Sequence, residues 1–166
     1  MRPRLARLPV GAVVLAAGAA TRFGGPKQAL LLAEVLARVR ASEEVGEIVV
    51  VTGAHALETD ARVVHCPDWE LGGGASLRCG LRTLPPETPA AVVVLADGPD
   101  LAPAAIDRVV AAWRDGAGEV VAASYGGVRG HPVVLGRAVW DDVPDEGELV
   151  LDNVVASDDR PGRNLN

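Results

Sequence analysis

The sequence predicts an α/β fold in three layers, α/β/α, around a mostly parallel sheet. Two observations carry that expectation. Apolar runs of five to seven residues recur along the chain, and segments whose apolar residues follow the helical period lie between them. Continuous apolar runs suit strands covered by helices on both faces, and the alternation calls for parallel strands joined by helical crossovers. A third bounds the size: 166 residues, 49% of them hydrophobic, make one well-buried core without disulfides or a structural metal.

Each element has its own reason. The run from Ala12 to Ala17 reads as the first strand and leads into the loop of "LAAGAATRFGGPKQAL". A helix follows from about Pro26 to Ala41, with Pro in the first turn, where its missing N–H costs nothing. Leu31, Val35 and Val39 share a face there with Leu32 and Leu36. Glu47 to Gly53 and Arg62 to Cys66 read as the next strands. A second helix starts near Ala75 and stops at Pro85-Pro86, with Leu77, Leu81 and Leu84 at i, i+4 and i+7. Ala91 to Asp97 is a strand, Pro103 to Asp115 a helix facing in through Ile106, Val109, Val110 and Trp113, and Glu119 to Tyr125 a further strand. Beyond "RGHPVVLG", which reads as a turn around His131, the pattern degrades: "RAVWDDV" suits a short helix and "NVVAS" a strand. There is no repeat, low-complexity tract or linker, so one domain is expected over residues 1–166.

The net charge of −6 is scattered along the chain, which argues against a nucleic-acid partner held on a basic face. An anionic ligand must be met locally. Of the 16 basic side chains only Lys27 is a lysine, and it lies by the glycine-rich loop, where a compact point charge is wanted rather than a planar fork. Cys66 and Cys79 form no CxxC pair and are expected to be reduced packing residues of a cytoplasmic protein. The first twenty residues imitate a signal peptide, but cleavage near Ala20 would strip the loop of its strand. No other apolar run approaches the ~20 residues needed to cross a bilayer, so no membrane partner is expected.

The loop after the first strand lies where open parallel sheets bind ligands, just before a helix whose free N–H groups favour an anion. Gly18, Gly24 and Gly25 let the backbone approach a phosphate chain, Ala19 and Ala20 leave room, and Arg22 and Lys27 supply charge. The spacing fits neither GxGxxG nor GxxxxGK[ST].

The segment "LAAGAATRFGGPKQALL" resembles the signature LxAGxSxRMGxPKxLL of the superfamily that includes the molybdenum-cofactor cytidylyl- and guanylyltransferases, the MobA-like NTP transferase family. "VVHCPDWELGGGASLRCGL", "VVVLADGPDLAP" and "VRGHPVVLG" are similar, in the same order, to the family's Ser-Leu-Arg-x-Gly helix, its Gly-Asp-x-Pro strand end and its Arg-Gly-His-Pro turn. The Ser-Leu-Arg and Gly-His-Pro pieces are more like the cytidylyltransferase branch. The resemblance implies a Rossmann-like sheet of the nucleotide-diphospho-sugar transferase type and transfer of CMP, rather than GMP, from a nucleoside triphosphate (CTP or GTP) to a phosphorylated acceptor such as molybdopterin. It implies a nucleotide site of Leu15, Ala16, Ala17, Gly18, Ala19, Arg22, Lys27, Asp68, Ser76 and Asp97, with Arg22, Lys27 and Asp97 catalytic and Arg78 and His131 on the acceptor side. It further implies Mg²⁺ or Mn²⁺ on Asp97, a molybdoenzyme or its chaperone as protein partner, and a monomer or weak dimer.

Asp97 ends an apolar run before Gly-Pro, which brings its carboxylate out at the sheet's carboxyl edge. A hard oxygen ligand there suits Mg²⁺ bound through one carboxylate plus substrate phosphates; an ordinary turn with Pro99 is the alternative. Ser76 can cap its helix or touch a ligand. Trp69 reads as core edge, Asp100 as solvent-facing, and His55 and His65 have no spacing that implies zinc. The chain departs from the family in three places. "KQALLLAEVLARVR" lacks the usual glycine-containing turn, Gly98 replaces a longer residue, and Asn164 and Asn166 stand at aspartate positions of the closing segment, for which Asp158 or Asp159 are candidate substitutes. The last departure keeps a noncatalytic nucleotide-binding protein in view. A sugar-phosphate nucleotidyltransferase is the third reading.

Overall fold

The computed structural model describes residues 8–17, 26–98, 101–146 and 154–158. Among the described residues seven strands make one sheet: β1 (Val10–Ala16), β2 (Val45–Thr52), β3 (Arg62–His65), β4 (Ala90–Leu95), β5 (Val120–Tyr125), β6 (Val128–Gly136) and β7 (Val154–Asp158), in the order β3-β2-β1-β4-β6-β5-β7. Only β6 runs antiparallel to its neighbours. Helices α1 (Pro26–Arg40), α2 (Gly73–Thr83) and α3 (Pro103–Arg114) alternate with the strands, and Trp69–Leu71 and Arg137–Asp142 form 3₁₀ turns. The α/β expectation holds, with element ends displaced by a few residues. No helix among the described residues is long and apolar enough to cross a membrane.

Two apolar layers sandwich the sheet. On one face Leu32, Val35, Leu36 and Val39 of α1 and Ile106, Val109, Val110 and Trp113 of α3 pack on Val14, Val50, Val92 and Val94. On the other, Leu77 and Leu81 of α2 join Leu84, Trp140 and Val143 over Val13, Val51 and Val93. Each fully buried Leu, Ile or Val stabilises by about 1.5–3 kcal/mol relative to exposure, so these two stripes hold the layers together. Leu31, expected on the inner face of α1, is half-exposed at its margin.

β6 is where the sequence misleads. The Arg129–Pro132 stretch lies inside a nine-residue strand, not in a turn. Ala122 pairs with Val133 while Ala123 pairs with Gly130, so His131 and Pro132 are extra residues bulged out of the ladder. A bulge tolerates a proline that has no N–H to give, and it re-aims the side chain beside it. The turn itself is Gly126-Gly127, with φ of 67° and 81°, values that favour glycine.

The cysteines also depart from expectation. Cys66, just past β3, and Cys79, in α2, are joined as a disulfide with Cα atoms 5.9 Å apart. A separation of 13 residues matches no motif; the packing of α2 over β2 and β3 is what brings the thiols together.

From β1 the chain winds outward through β2 to β3, and α2 then returns it to β4 on the other side of β1. The winding reverses between β1 and β4, so their carboxyl ends flank the crevice where such sheets bind ligands.

Candidate functional site at the carboxyl edge

The ends of β1 and β4 are held in step. Leu15 is the register partner of Leu95, and the Ala96 N–H donates to the Leu15 carbonyl over 3.0 Å. Asp97 follows at once and is exposed, and the Gly98 N–H closes the turn onto the Leu95 carbonyl at 3.1 Å. A Cβ at Gly98 would lie 3.3 Å from that carbonyl, so a larger residue would crowd the turn. Leu15 and Ala16 are half-buried and Ala17 is buried; these residues offer backbone, not side-chain chemistry.

Gly53 is a part of this framework that the sequence reading missed. A Cβ there would lie 2.6 Å from the Ala17 carbonyl and 2.5 Å from Cγ of Trp69. Only glycine lets the end of β2 lie between them, and the available signal was a glycine closing the run "EIVVVTG". Trp69 is therefore packed on the framework as core edge. Asp68, beside it, is exposed at the start of the 3₁₀ turn and makes no side-chain cap bond.

Ser76 does not cap α2. The N-cap is Gly72, at φ 120°, and Ser76 lies within the helix at 4% exposure, its N–H directed to the Gly72 carbonyl. The first turn of α2 carries no acidic residue and no side-chain cap, so its N–H groups keep their attraction for an anion. Gly74 permits a close approach of another kind: a Cβ there would collide with the Pro144 carbonyl.

On β6 the bulge places His131 beside the end of β4, beyond the last register pair Val93↔Val133. Burial pushes its imidazole pKa below the usual value, and the negative charge of Asp97 opposes that shift. The Tyr125 hydroxyl donates to the His131 carbonyl over 2.8 Å, and the Tyr125 ring covers Gly130. Asp97 and His131, far apart in sequence, thus share one neighbourhood.

Arg78 is used differently. Its Nη1 donates to the carbonyls of Val143 (2.7 Å) and Asp141 (3.3 Å), and its Nε forms an ion pair with Asp145 at 2.8 Å. It ties the segment after Trp140 to α2. Lys27 is the second residue of α1. Gly18, Ala19, Arg22, Asp100, Asp159, Asn164 and Asn166 lie outside the described residues. Asp158 ends β7, three strand positions from β4, which separates the backbones by roughly 14 Å.

Among the described residues no group of three or more His, Cys, Asp or Glu side chains could hold a metal by itself. A lone exposed carboxylate at a strand end instead fits a hard divalent ion that completes its shell with water and substrate phosphates.

A family model described as the MobA-like NTP transferase domain matches residues 12–151. No curated protein matches the chain in sequence. The crystal structure of Rv0371c from Mycobacterium tuberculosis H37Rv superposes with a TM-score of 0.70 at 24% identity, covering 92% of this chain and 89% of that one. Rv0371c in complex with manganese gives 0.64 at 25% identity, over 91% and 89%. The 4-diphosphocytidyl-2C-methyl-D-erythritol synthase from Anaerococcus prevotii gives 0.64 at 16% identity, over 89% and 86%. These likenesses place the sheet in the nucleotide-diphospho-sugar transferase type.

Proposed function

Because the chain belongs to the MobA-like NTP transferase family, we propose that it moves a nucleoside monophosphate, CMP in preference to GMP, from a nucleoside triphosphate to a phosphorylated acceptor such as molybdopterin. The observation that carries this reading is the exposed Asp97 carboxylate at the point where the winding of the sheet reverses, beside the end of β1.

The reaction needs positioning and charge neutralisation rather than a protein nucleophile. Main-chain N–H groups from Ala17 to Ala19 and the Arg22 guanidinium hold the β- and γ-phosphates, and Lys27 holds the α-phosphate. Asp97 would hold a divalent ion, Mg²⁺ or manganese as in the complex of the mycobacterial neighbour, which would supply charge neutralisation for the transfer. The acceptor phosphate is already ionised at neutral pH. Its oxygen attacks the α-phosphorus in line, the bond to the β-phosphate oxygen breaks, and pyrophosphate leaves. His131 borders the acceptor side, and Arg78 contributes by fixing residues 141–145. Ser76-Leu77-Arg78 and Gly130-His131-Pro132 support the cytidine preference. The same reading makes the substrates small molecules, the compartment the cytoplasm, and a molybdoenzyme or its chaperone the recipient of the product.

Pyrophosphate release with CTP or GTP, Mg²⁺ or Mn²⁺, and molybdopterin tests it. Lys27→Ala and Asp97→Ala are each expected to abolish release, whereas Asp100→Ala leaves it nearly intact; equal losses in all three contradict the assigned roles. Asn164 and Asn166 favour a second reading, nucleotide binding without transfer. Tight CTP binding with no release would select it.

A further inference from the structure

A groove of about 360 Å³ runs along α2, away from Asp97, lined by Arg78, Leu81, Arg82, Leu84, Pro86, Arg137, Trp140 and Asp141. Its lower end lies against the chain entering β4: the Arg137 N–H donates to the Pro89 carbonyl, and β4 begins at the next residue. Asp97 is beyond the opposite end of that strand.

Three guanidiniums line the groove against one carboxylate, 3 − 1 = +2, in a chain whose net charge is −6. Counting Asp145, which pairs with Arg78 from outside the lining, leaves an excess of one positive charge. Arg137 is fixed without being neutralised. Its Nε donates to the Thr88 carbonyl (2.7 Å) and its Nη2 to the Pro85 carbonyl (2.8 Å), while its guanidinium carbon lies 4.2 Å from the centre of the Trp140 ring. Trp140 is anchored in turn by its indole N–H on the Leu135 carbonyl. Among the described residues no carboxylate pairs with Arg137 or with the exposed Arg82. With Nε and one Nη2 hydrogen engaged, Arg137 keeps its Nη1 hydrogens and the second Nη2 hydrogen, and a guanidinium so oriented, in one groove with the exposed Arg82, can grip a phosphate through that remaining edge. Its orientation is set before any ligand arrives, so little side-chain entropy remains to be lost on binding.

We infer that this groove is a second anion site, separate from the carboxyl-edge crevice, that takes the phosphate group of a small molecule between Arg82 and Arg137. The site does not depend on the proposed transfer reaction. The three tryptophans supply separate reporters, since Trp140 lines the groove, Trp69 packs at Gly53 and Trp113 is in the core.

The test is a titration of the full-length protein with inorganic phosphate at constant ionic strength, following the three indole N–H resonances. A saturable shift at Trp140 is expected, weakened about tenfold or more in Arg82→Glu and in Arg137→Lys, which keeps the charge but loses the fork. Lys27→Ala should leave the Trp140 response unchanged, and Arg82→Glu should leave pyrophosphate release unchanged. No saturable Trp140 shift, a shift at Trp69 alone, or an undiminished response in Arg82→Glu would overturn the assignment.

Discussion

The two halves of the sheet meet at β4 and are built on opposite terms. On the β1–β2 side the strands are parallel and, past one register shift near Val10, in unbroken register from Ala12 to the crevice, and what they bring there is mostly backbone: the ends of β1 and β2 locked around Gly53. On the β6–β5 side the pairing is antiparallel and the ladder is broken by a bulge, and there a titratable side chain, His131, lies within the field of Asp97. Regular pairing supplies position, and irregular pairing supplies side-chain chemistry.

The largest expected effect breaks the regular half. The disulfide between Cys66 and Cys79 closes a loop across β3 and α2 with a separation of 13 residues. In the chain-entropy account a loop of that size stabilises the fold by about 3 kcal/mol. Cys79→Ser should lower the free energy of urea unfolding by about that amount, and reductant should do the same to the wild type but nothing further to the variant. An unchanged unfolding midpoint would mean that the clamp on this half comes from packing alone.

A smaller loss is expected at Gly80, where α2 sits directly on the sheet. A Cβ there would lie 2.5 Å from a methyl of Val13 and 2.9 Å from one of Val51. Gly80→Ala gains some helix propensity but overpacks the contact, so a net destabilisation of about 1–2 kcal/mol is expected in the same denaturation assay. The same change at Gly127, where nothing lies within 4 Å but φ is +81°, should cost less, about 1 kcal/mol, through backbone conformation rather than crowding. If Gly80→Ala proved the milder of the two, the close seating of α2 would not be what positions the regular half.

The contrast between the halves also marks what the sequence could disclose. The runs that became β1, β2, β4 and β5 were legible because burial on both faces writes itself as unbroken apolar sequence, and Asp97 was legible because it ends one of them. Leu77, Leu81 and Leu84 announced the buried face of α2 in the same way. His131 was legible as a residue of interest but not in its setting, since Gly130 and Pro132 carry turn chemistry that the bulge put to use inside a strand. Gly53, the Cys66–Cys79 bond and the bonds that fix Arg137 on the Thr88 and Pro85 carbonyls depend on contacts between separate segments of the chain, and no local pattern encodes them.

The smallest effect tests the irregular half most directly. Burial lowers the His131 pKa below its ordinary 6.5, so the folded protein takes up this proton less readily than the unfolded chain. The unfolded state therefore binds more protons in the window from 6.5 downward to the folded value, and stability rises with pH across that window. In metal-free protein, His131→Gln should flatten this portion of the stability profile. Asp97→Asn should steepen it, because removing the carboxylate removes the charge that holds the imidazole pKa up. Opposite changes of slope in the two variants, with the histidine titration followed by NMR, tie the bulged strand to the end of β4. Were Asp97→Asn to leave the His131 titration where it was, the two residues would not share a field, and the acceptor side of the proposed site would have to be sought elsewhere along the carboxyl edge.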